Sequence, residues 1–106
     1  MKNIAIFVSG GGSNFKSIHH HIQLGEIAGR IVLTVSNNAD SGSIKYAREN
    51  KIPSLIINKV RHLNLVDQEE FLIQSLVKNE VDLICLAGYM KLLPKRIVHQ
   101  YQNRIL

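Results

Sequence analysis

Residues 3–14 read NIAIFVSGGGSN, and this stretch decides how the chain folds. Residues 3–8 are almost wholly apolar, which is typical of a buried parallel strand. Three glycines follow, and glycine lets the backbone take positive φ angles and lets a ligand approach closely. Ser13 and Asn14 come next, and both residue types favour helix N-caps. A strand, a glycine turn and a helix N-terminus together present N–H donors at the positive end of a helix dipole, so the stretch predicts a phosphate-binding loop.

Strand and helix patterns alternate along the rest of the chain. Strands are predicted over residues 3–8, 30–35, 54–57 and 82–87. Helices are predicted over about 13–24, 43–49 and 94–101. A further helix is predicted to begin near Asp67, and its apolar stripe consists of Leu72, Ile73, Leu76 and Val77. This alternation indicates an α/β fold, a doubly wound open parallel sheet of Rossmann-like type with strand order 3-2-1-4. Residues 104–106 resemble a fifth strand just starting, so we expect the fold to be truncated in or before that strand.

This strand order places the loops of residues 9–14 and 88–93 at one switch point, where doubly wound sheets bind ligands. The second loop carries Met90, Leu92 and Leu93, which would line a slot for a flat, partly aromatic ligand. Ordinary packing beneath the last helix explains the same apolar residues equally well.

Composition narrows the function classes. The chain has 106 residues with a net charge of +5, which suits one soluble domain that binds anionic ligands. The tightest basic cluster, Lys91, Lys95 and Arg96, is short and lacks interleaved aromatic residues, so nucleic acid is not an expected partner. Cys85 lies in an apolar run and is expected to be a buried thiol. No membrane span or signal pattern is recognised, and a cytoplasmic location is expected.

The glycine loop does not fit the best-known nucleotide motifs. Phe15 stands where the dinucleotide fingerprint needs its third glycine, and residues 36–38 offer no carboxylate for a ribose hydroxyl. A Walker A lysine is also absent. A loop for a single phosphate group remains, with a tight turn that binds nothing as the competing interpretation.

No metal site is expected. His19, His20 and His21 are consecutive, so on a helix they diverge by about 100° each and cannot share one ion. His62 and His99 have no recognisable nucleophile nearby and are expected at the surface.

Three motifs together resemble the phosphoribosylglycinamide formyltransferase family: SGGGSN at residues 9–14, SN at 36–37 and LAGYMKLL at 86–93. Formyltetrahydrofolate deformylase and methionyl-tRNA formyltransferase share the fold and the last motif but not the first. The resemblance implies transfer of a formyl group from the co-substrate 10-formyltetrahydrofolate to the amino group of glycinamide ribonucleotide. Small molecules would then be the partners, and the oligomeric state stays unassigned.

The resemblance also implies site residues. The ribonucleotide phosphate would be bound by Gly12, Ser13 and Asn14, with Gly11 shaping the turn. The folate would contact Met90, Lys91, Leu92, Leu93 and Gln68. Lys91 and Gln68 both stand where the family usually has arginine.

The family's catalytic Asn-x-His-Pro motif would begin after Leu106, and a catalytic Asp would follow later. Residues 1–106 are therefore expected to form the N-terminal nucleotide-binding part of a formyltransferase domain, with no catalytic residue and no formyl transfer of their own. The alternatives are a catalytically inactive fragment that binds phosphate or nucleotide, a related folate-dependent formyltransferase, or a formyltetrahydrofolate deformylase.

Overall fold

A computed structural model describes residues 1–58, 64–89, 91 and 93–106 of the chain. Its elements are β1 (Lys2–Val8), α1 (Ser13–Gln23), β2 (Gly29–Ser36), α2 (Gly42–Glu49), β3 (Ser54–Ile56), α3 (Leu65–Lys78), β4 (Leu83–Leu86) and α4 (Lys95–Gln100). The described strands form one parallel sheet in the order β3-β2-β1-β4, which confirms the expected doubly wound α/β fold.

Both faces of the sheet are covered, as a parallel sheet requires. Along β1, Ala5 and Phe7 point into one apolar cluster and Ile6 points into the other. The first cluster includes side chains of α3 and α4, and the second includes Phe15 of α1 and Ala47 of α2. The central strand is thus buried on both sides, which accounts for its nearly continuous apolar sequence.

The outer edge of β4 pairs with the end of the chain. Ile105 forms a parallel bridge with Ile84, and the Leu106 N–H donates to the Ile84 carbonyl over 2.8 Å. The predicted beginning of a fifth strand at residues 104–106 is therefore confirmed as a short bridge. Cys85 on β4 is buried, as expected, and burial raises the pKa of its thiol.

The start of α3 differs from the prediction. Asn64, not Asp67, is its N-cap, and the Asn64 side chain accepts a hydrogen bond from the Asp67 N–H over 2.8 Å. Two residues of capping type stand three positions apart here, and the earlier one caps. The apolar stripe is also narrower than predicted, because Val77 is 56% exposed while Leu72 and Leu76 are buried.

Within the described residues, no helix has the length and apolar character needed to cross a membrane.

Candidate functional site

The glycine loop between β1 and α1 turns at Gly12. Gly12 has φ +88°, in the left-handed region, whereas Gly10 and Gly11 do not take positive φ angles. A residue with a Cβ is strained in this conformation, so the turn depends on glycine at this position. The left-handed residue of the loop is therefore Gly12.

The first turn of α1 has no side-chain cap. Ser13 and Asn14 were expected as caps, but the helix starts at Ser13 and Gly12 is the N-cap residue, with no side-chain hydrogen bond there. The first bond back along the helix runs from the Lys16 N–H to the Gly12 carbonyl over 2.8 Å. The N–H groups of Ser13, Asn14 and Phe15 therefore have no carbonyl partner within the helix. These donors lie at the positive end of the helix dipole, where an anion binds favourably.

The N-terminus of α2 packs against the glycine loop. The buried Ser43 side chain donates a hydrogen bond from Oγ to the Gly10 carbonyl over 2.7 Å. A Cβ added to Gly12 would lie 2.7 Å from Ser43 Oγ, and one added to Gly42 would lie 3.1 Å from the Gly11 carbonyl oxygen. The loop and the start of α2 thus pack at a distance that only glycine permits.

Asparagine side chains connect the ends of the first three strands. Ser9, directly after β1, donates from Oγ to Asn37 Oδ1 over 2.7 Å. Asn58, which follows β3, donates from Nδ2 to the Asn37 carbonyl over 3.2 Å. This network fixes the glycine loop against the polar segment after β2.

A cavity of about 810 Å³ opens next to this network. Its described walls come from the ends of β2 and β3, the first half of α3 and the segment before α4. The lining residues are Asn37, Ile57, Asn58, Leu65, Gln68, Glu69, Leu72, Tyr89, Lys91, Leu93, Pro94 and Lys95.

The structure brings three of the five residues expected to contact the folate, Gln68, Lys91 and Leu93, to this one cavity. Met90 and Leu92 lie outside the described residues. The glycine loop does not line the described cavity; it adjoins the cavity through the hydrogen bond from Ser9 to Asn37.

The cavity walls are partly apolar and carry free positive charge. Tyr89 packs edge-on against Phe7 with ring centroids 5.3 Å apart, and burial raises the pKa of its hydroxyl, which keeps that group neutral. Among the described residues, neither Lys91 nor Lys95 forms an ion pair. A volume of this size with such walls suits a flat molecule that has an anionic end.

Several lining residues were not predicted, among them Asn58, Tyr89 and Lys95. Asn58 could have been found from topology alone, because the carboxyl ends of parallel strands share one edge of the sheet. Tyr89 lies within the LAGYMKLL motif but was not assigned to the site, and Lys95 carries no motif of its own.

The described residues contain no group of three or more His, Cys, Asp or Glu side chains arranged to hold a metal ion. His19 Nδ1 lies 2.6 Å from the Tyr46 hydroxyl oxygen on α2, whereas the rings of His20 and His21 contact each other edge-on with centroids 5.8 Å apart. His19 therefore helps to join α1 to α2.

Comparison with known proteins gives a consistent result. A family model described as formyl transferase matches residues 2–106. The chloroplastic phosphoribosylglycinamide formyltransferase of Arabidopsis thaliana is 44% identical over 108 residues, covering 99% of this chain and 36% of that protein. The Haemophilus influenzae phosphoribosylglycinamide formyltransferase is 32% identical over 106 residues, covering 100% of this chain and 50% of that protein.

Among solved structures, glycinamide ribonucleotide transformylase 1 of Geobacillus kaustophilus superposes with a TM-score of 0.93 at 28% identity. That match covers 99% of this chain and 56% of the other. The chain thus spans between about a third and a little over half of the length of these similar proteins.

Proposed function

Since this chain belongs to the formyl transferase family, we propose that its residues 1–106 form the N-terminal nucleotide-binding part of a phosphoribosylglycinamide formyltransferase. The reaction moves a formyl group from 10-formyltetrahydrofolate to the amino group of glycinamide ribonucleotide, a step of purine biosynthesis. The observation that carries the proposal is the uncapped start of α1 behind a glycine turn, next to a cavity that contains Gln68, Lys91 and Leu93.

The phosphate of the ribonucleotide is assigned to the start of α1. Gly12 gives the turn, and the N–H groups of Ser13 and Asn14 act as donors to the phosphate oxygens. Gly11 contributes by its close packing against Gly42, which keeps the loop in place. A phosphate bound here gains from several N–H donors and from the helix dipole at once.

The folate co-substrate is assigned to the cavity. Leu93 and Leu72 supply apolar surface for the flat ring system, and Lys91 and Gln68 supply a charge and an amide for its polar groups. Met90 and Leu92 are part of this assignment through the family resemblance. Lysine at position 91 keeps the positive charge of the family's usual arginine but lacks its planar, two-pronged geometry.

In the proposed reaction the substrate amine attacks the formyl carbon, the bond from that carbon to the folate nitrogen breaks, and the proton lost by the amine is returned to that nitrogen. Residues 1–106 bind and orient the two substrates, and the proposal assigns no catalytic residue to them. The substrates are small molecules, and no metal is required by this chemistry.

A formyltetrahydrofolate deformylase is the nearest alternative activity. The deformylase structure from Pseudomonas putida superposes with a TM-score of 0.86 but at 21% identity, which supports a shared fold alone. The glycine loop with its uncapped helix favours a phosphorylated acceptor over water, and therefore favours the transferase.

Cytoplasmic location stays a prediction. Plant relatives such as those of Arabidopsis thaliana and Vigna unguiculata are named as chloroplastic. Fractionation of the source cells with an antibody against the chain distinguishes the two compartments.

Binding of each substrate to its assigned place tests the proposal. In the natural protein at its full length, labelled with ¹⁵N, glycinamide ribonucleotide should shift the amide signals of Gly12, Ser13 and Asn14. The formyl-folate should instead shift the Gln68 side-chain amide and the backbone amides of Lys91 and Leu93. Nucleotide-induced shifts confined to the cavity, or no binding of either compound, would contradict the assignment.

A further inference from the structure

We propose that Ser43 is a positioning residue for phosphate binding: its hydroxyl fixes the glycine loop so that the Gly11 N–H joins those of Ser13 and Asn14 as a donor to the phosphate. This inference rests on the proposed function, because the ribonucleotide phosphate must first bind at the start of α1. It gives a residue of α2, outside the glycine loop, a role in substrate binding.

Ser43 makes two hydrogen bonds to one carbonyl oxygen of the loop. Its Oγ donates to the Gly10 carbonyl over 2.7 Å, and its backbone N–H donates to the same oxygen over 3.2 Å. A carbonyl oxygen has two lone pairs, so both are taken. Ser43 is fully buried, and water therefore does not compete for these bonds. The Gly10 carbonyl is thus held towards α2.

The direction of this carbonyl decides where the next N–H group points. The described residues contain no cis peptide bond, so the bond between Gly10 and Gly11 is trans. In a planar trans peptide the C=O and the following N–H point in opposite directions. Because the Gly10 carbonyl points towards α2, the Gly11 N–H points away from α2.

The Gly11 N–H is accessible to a ligand. Gly11 is exposed, and a Cβ added to it would meet nothing within 4 Å. Within the described part of the chain, no backbone carbonyl accepts a hydrogen bond from this N–H. Successive N–H groups in a turn form a concave site for an anion, and the N–H groups of Ser13 and Asn14 follow directly in the chain. The Gly11 N–H therefore suits the same phosphate.

Loss of the Ser43 hydroxyl should release this arrangement. The Gly10 carbonyl would keep only the longer of its two hydrogen bonds, so the peptide could rotate. Rotation moves the Gly11 N–H away from the phosphate and brings a carbonyl oxygen, which repels an anion, towards it. Partial loss of one hydrogen bond to a charged acceptor predicts an affinity for the ribonucleotide that is about fivefold weaker.

Formyl-transfer kinetics of the natural protein at full length test the proposal in the native form, in Ser43→Ala and in Ser41→Ala. Ser41→Ala is a matched control, because Ser41 is also buried at the start of α2 but its Oγ accepts from the Ile44 N–H over 3.3 Å. Both variants lose a hydrogen bond of α2, and both should melt a few degrees below the native protein.

Only Ser43→Ala should affect the ribonucleotide. Its KM for glycinamide ribonucleotide should rise about fivefold, while kcat and the KM for the formyl-folate stay within about twofold of the native values. Ser41→Ala should leave all three constants within about twofold of the native values. A residue that only stabilised α2 would not separate the two variants in this way.

NMR observes the proposed donor itself. In the native protein labelled with ¹⁵N, glycinamide ribonucleotide should move the Gly11 amide proton downfield, since that proton becomes hydrogen-bonded to the phosphate. In Ser43→Ala this shift should shrink, whereas the shifts of Ser13 and Asn14 should persist.

An unchanged KM for the ribonucleotide in Ser43→Ala would overturn the proposal, and so would an equal rise in Ser41→Ala. A native Gly11 signal that stays in place while those of Ser13 and Asn14 move would overturn it as well, and this measurement decides even if Ser43→Ala does not fold. Absence of both formyl transfer and nucleotide binding in the native protein would instead contradict the proposed function, and this inference with it.

Discussion

At the scale of single residues, Gly12 is the position on which the phosphate loop depends. Three consecutive glycines in the sequence indicate a turn but cannot show which of them takes the left-handed conformation. The structure assigns it to Gly12, where φ is +88° and Ser43 Oγ leaves no room for a Cβ. The choice is made by a contact with α2, some 30 residues later, so local sequence could not have revealed it.

Replacing Gly12 with valine should destabilise the protein and weaken nucleotide binding. The strained φ and the contact with Ser43 together should lower the free energy of unfolding by about 3 kcal/mol. Chemical denaturation measures the stability, and calorimetry with glycinamide ribonucleotide measures the affinity.

Gly10→Ala is the matched control for this change. A Cβ at Gly10 meets nothing within 4 Å, and Gly10 does not take a positive φ. Its stability should stay within about 0.5 kcal/mol of the native value. Equal effects of the two substitutions, or native affinity for the nucleotide in folded Gly12→Val, would contradict the role given to Gly12.

At the start of α1, the N-cap preferences of the residues do not predict the cap that the structure has. Ser13 and Asn14 are good capping residues, yet the N-cap is Gly12 and the first turn has no side-chain cap. A capped turn would use its own side chains as partners for the N–H groups. An uncapped turn keeps those donors for a ligand, so this failed prediction is itself consistent with a binding site.

At the scale of elements, α3 is the case in which the sequence pattern was ambiguous. Leu65 and Val66 are both more than 70% exposed, so the first turn of α3 lacks the buried apolar residues that mark a helix start. The apolar stripe begins only at Leu72, and the sequence pattern therefore favours Asp67 as the cap. The strands were easier to locate, because their short apolar runs are bounded by polar loops.

The cap of α3 can be tested by paired substitutions. Asn64→Ala removes the acceptor for the Asp67 N–H and should lower the free energy of unfolding by about 1 kcal/mol. Asp67→Ala removes a carboxylate from the first turn and should cost about 0.5 kcal/mol. Thermal or chemical denaturation measures the loss in the free energy of unfolding of each variant. A larger loss for Asp67→Ala than for Asn64→Ala would show that Asp67 is the cap.

The contact between α3 and α4 should appear in the titration of Glu70. The hydrogen bond from Arg96, followed by its charge, lowers the pKa of Glu70 below its usual value of 4.5. A lowered pKa in the folded state means that this contact stabilises the protein above about pH 4.5 and is lost as the pH falls through the folded value.

Arg96→Gln should therefore raise the pKa of Glu70 towards 4.5, as measured by NMR of the carboxyl carbon. Arg48→Gln, at the end of α2, is the control and should leave that pKa unchanged. A Glu70 that titrates identically in the native protein and in Arg96→Gln would show that the contact between the two helices does not form in solution.

At the scale of the whole molecule, the order of strands followed from general rules of chain topology. Right-handed crossovers and alternating elements lead to β3-β2-β1-β4, and the structure has that order. The cavity could be predicted only in part: the loop after β4 and Gln68 of α3 were expected, and Asn58 follows from the shared edge of the parallel strands, whereas the contribution of Lys95 depends on how α4 packs.

Formyl transfer by the natural protein at its full length tests the central claim most directly. Incubation with 10-formyltetrahydrofolate and glycinamide ribonucleotide should yield one formylated ribonucleotide for each tetrahydrofolate released, with no consumption of the folate when the ribonucleotide is omitted. Release of formate from the folate without any need for glycinamide ribonucleotide would contradict the account and would indicate a deformylase instead.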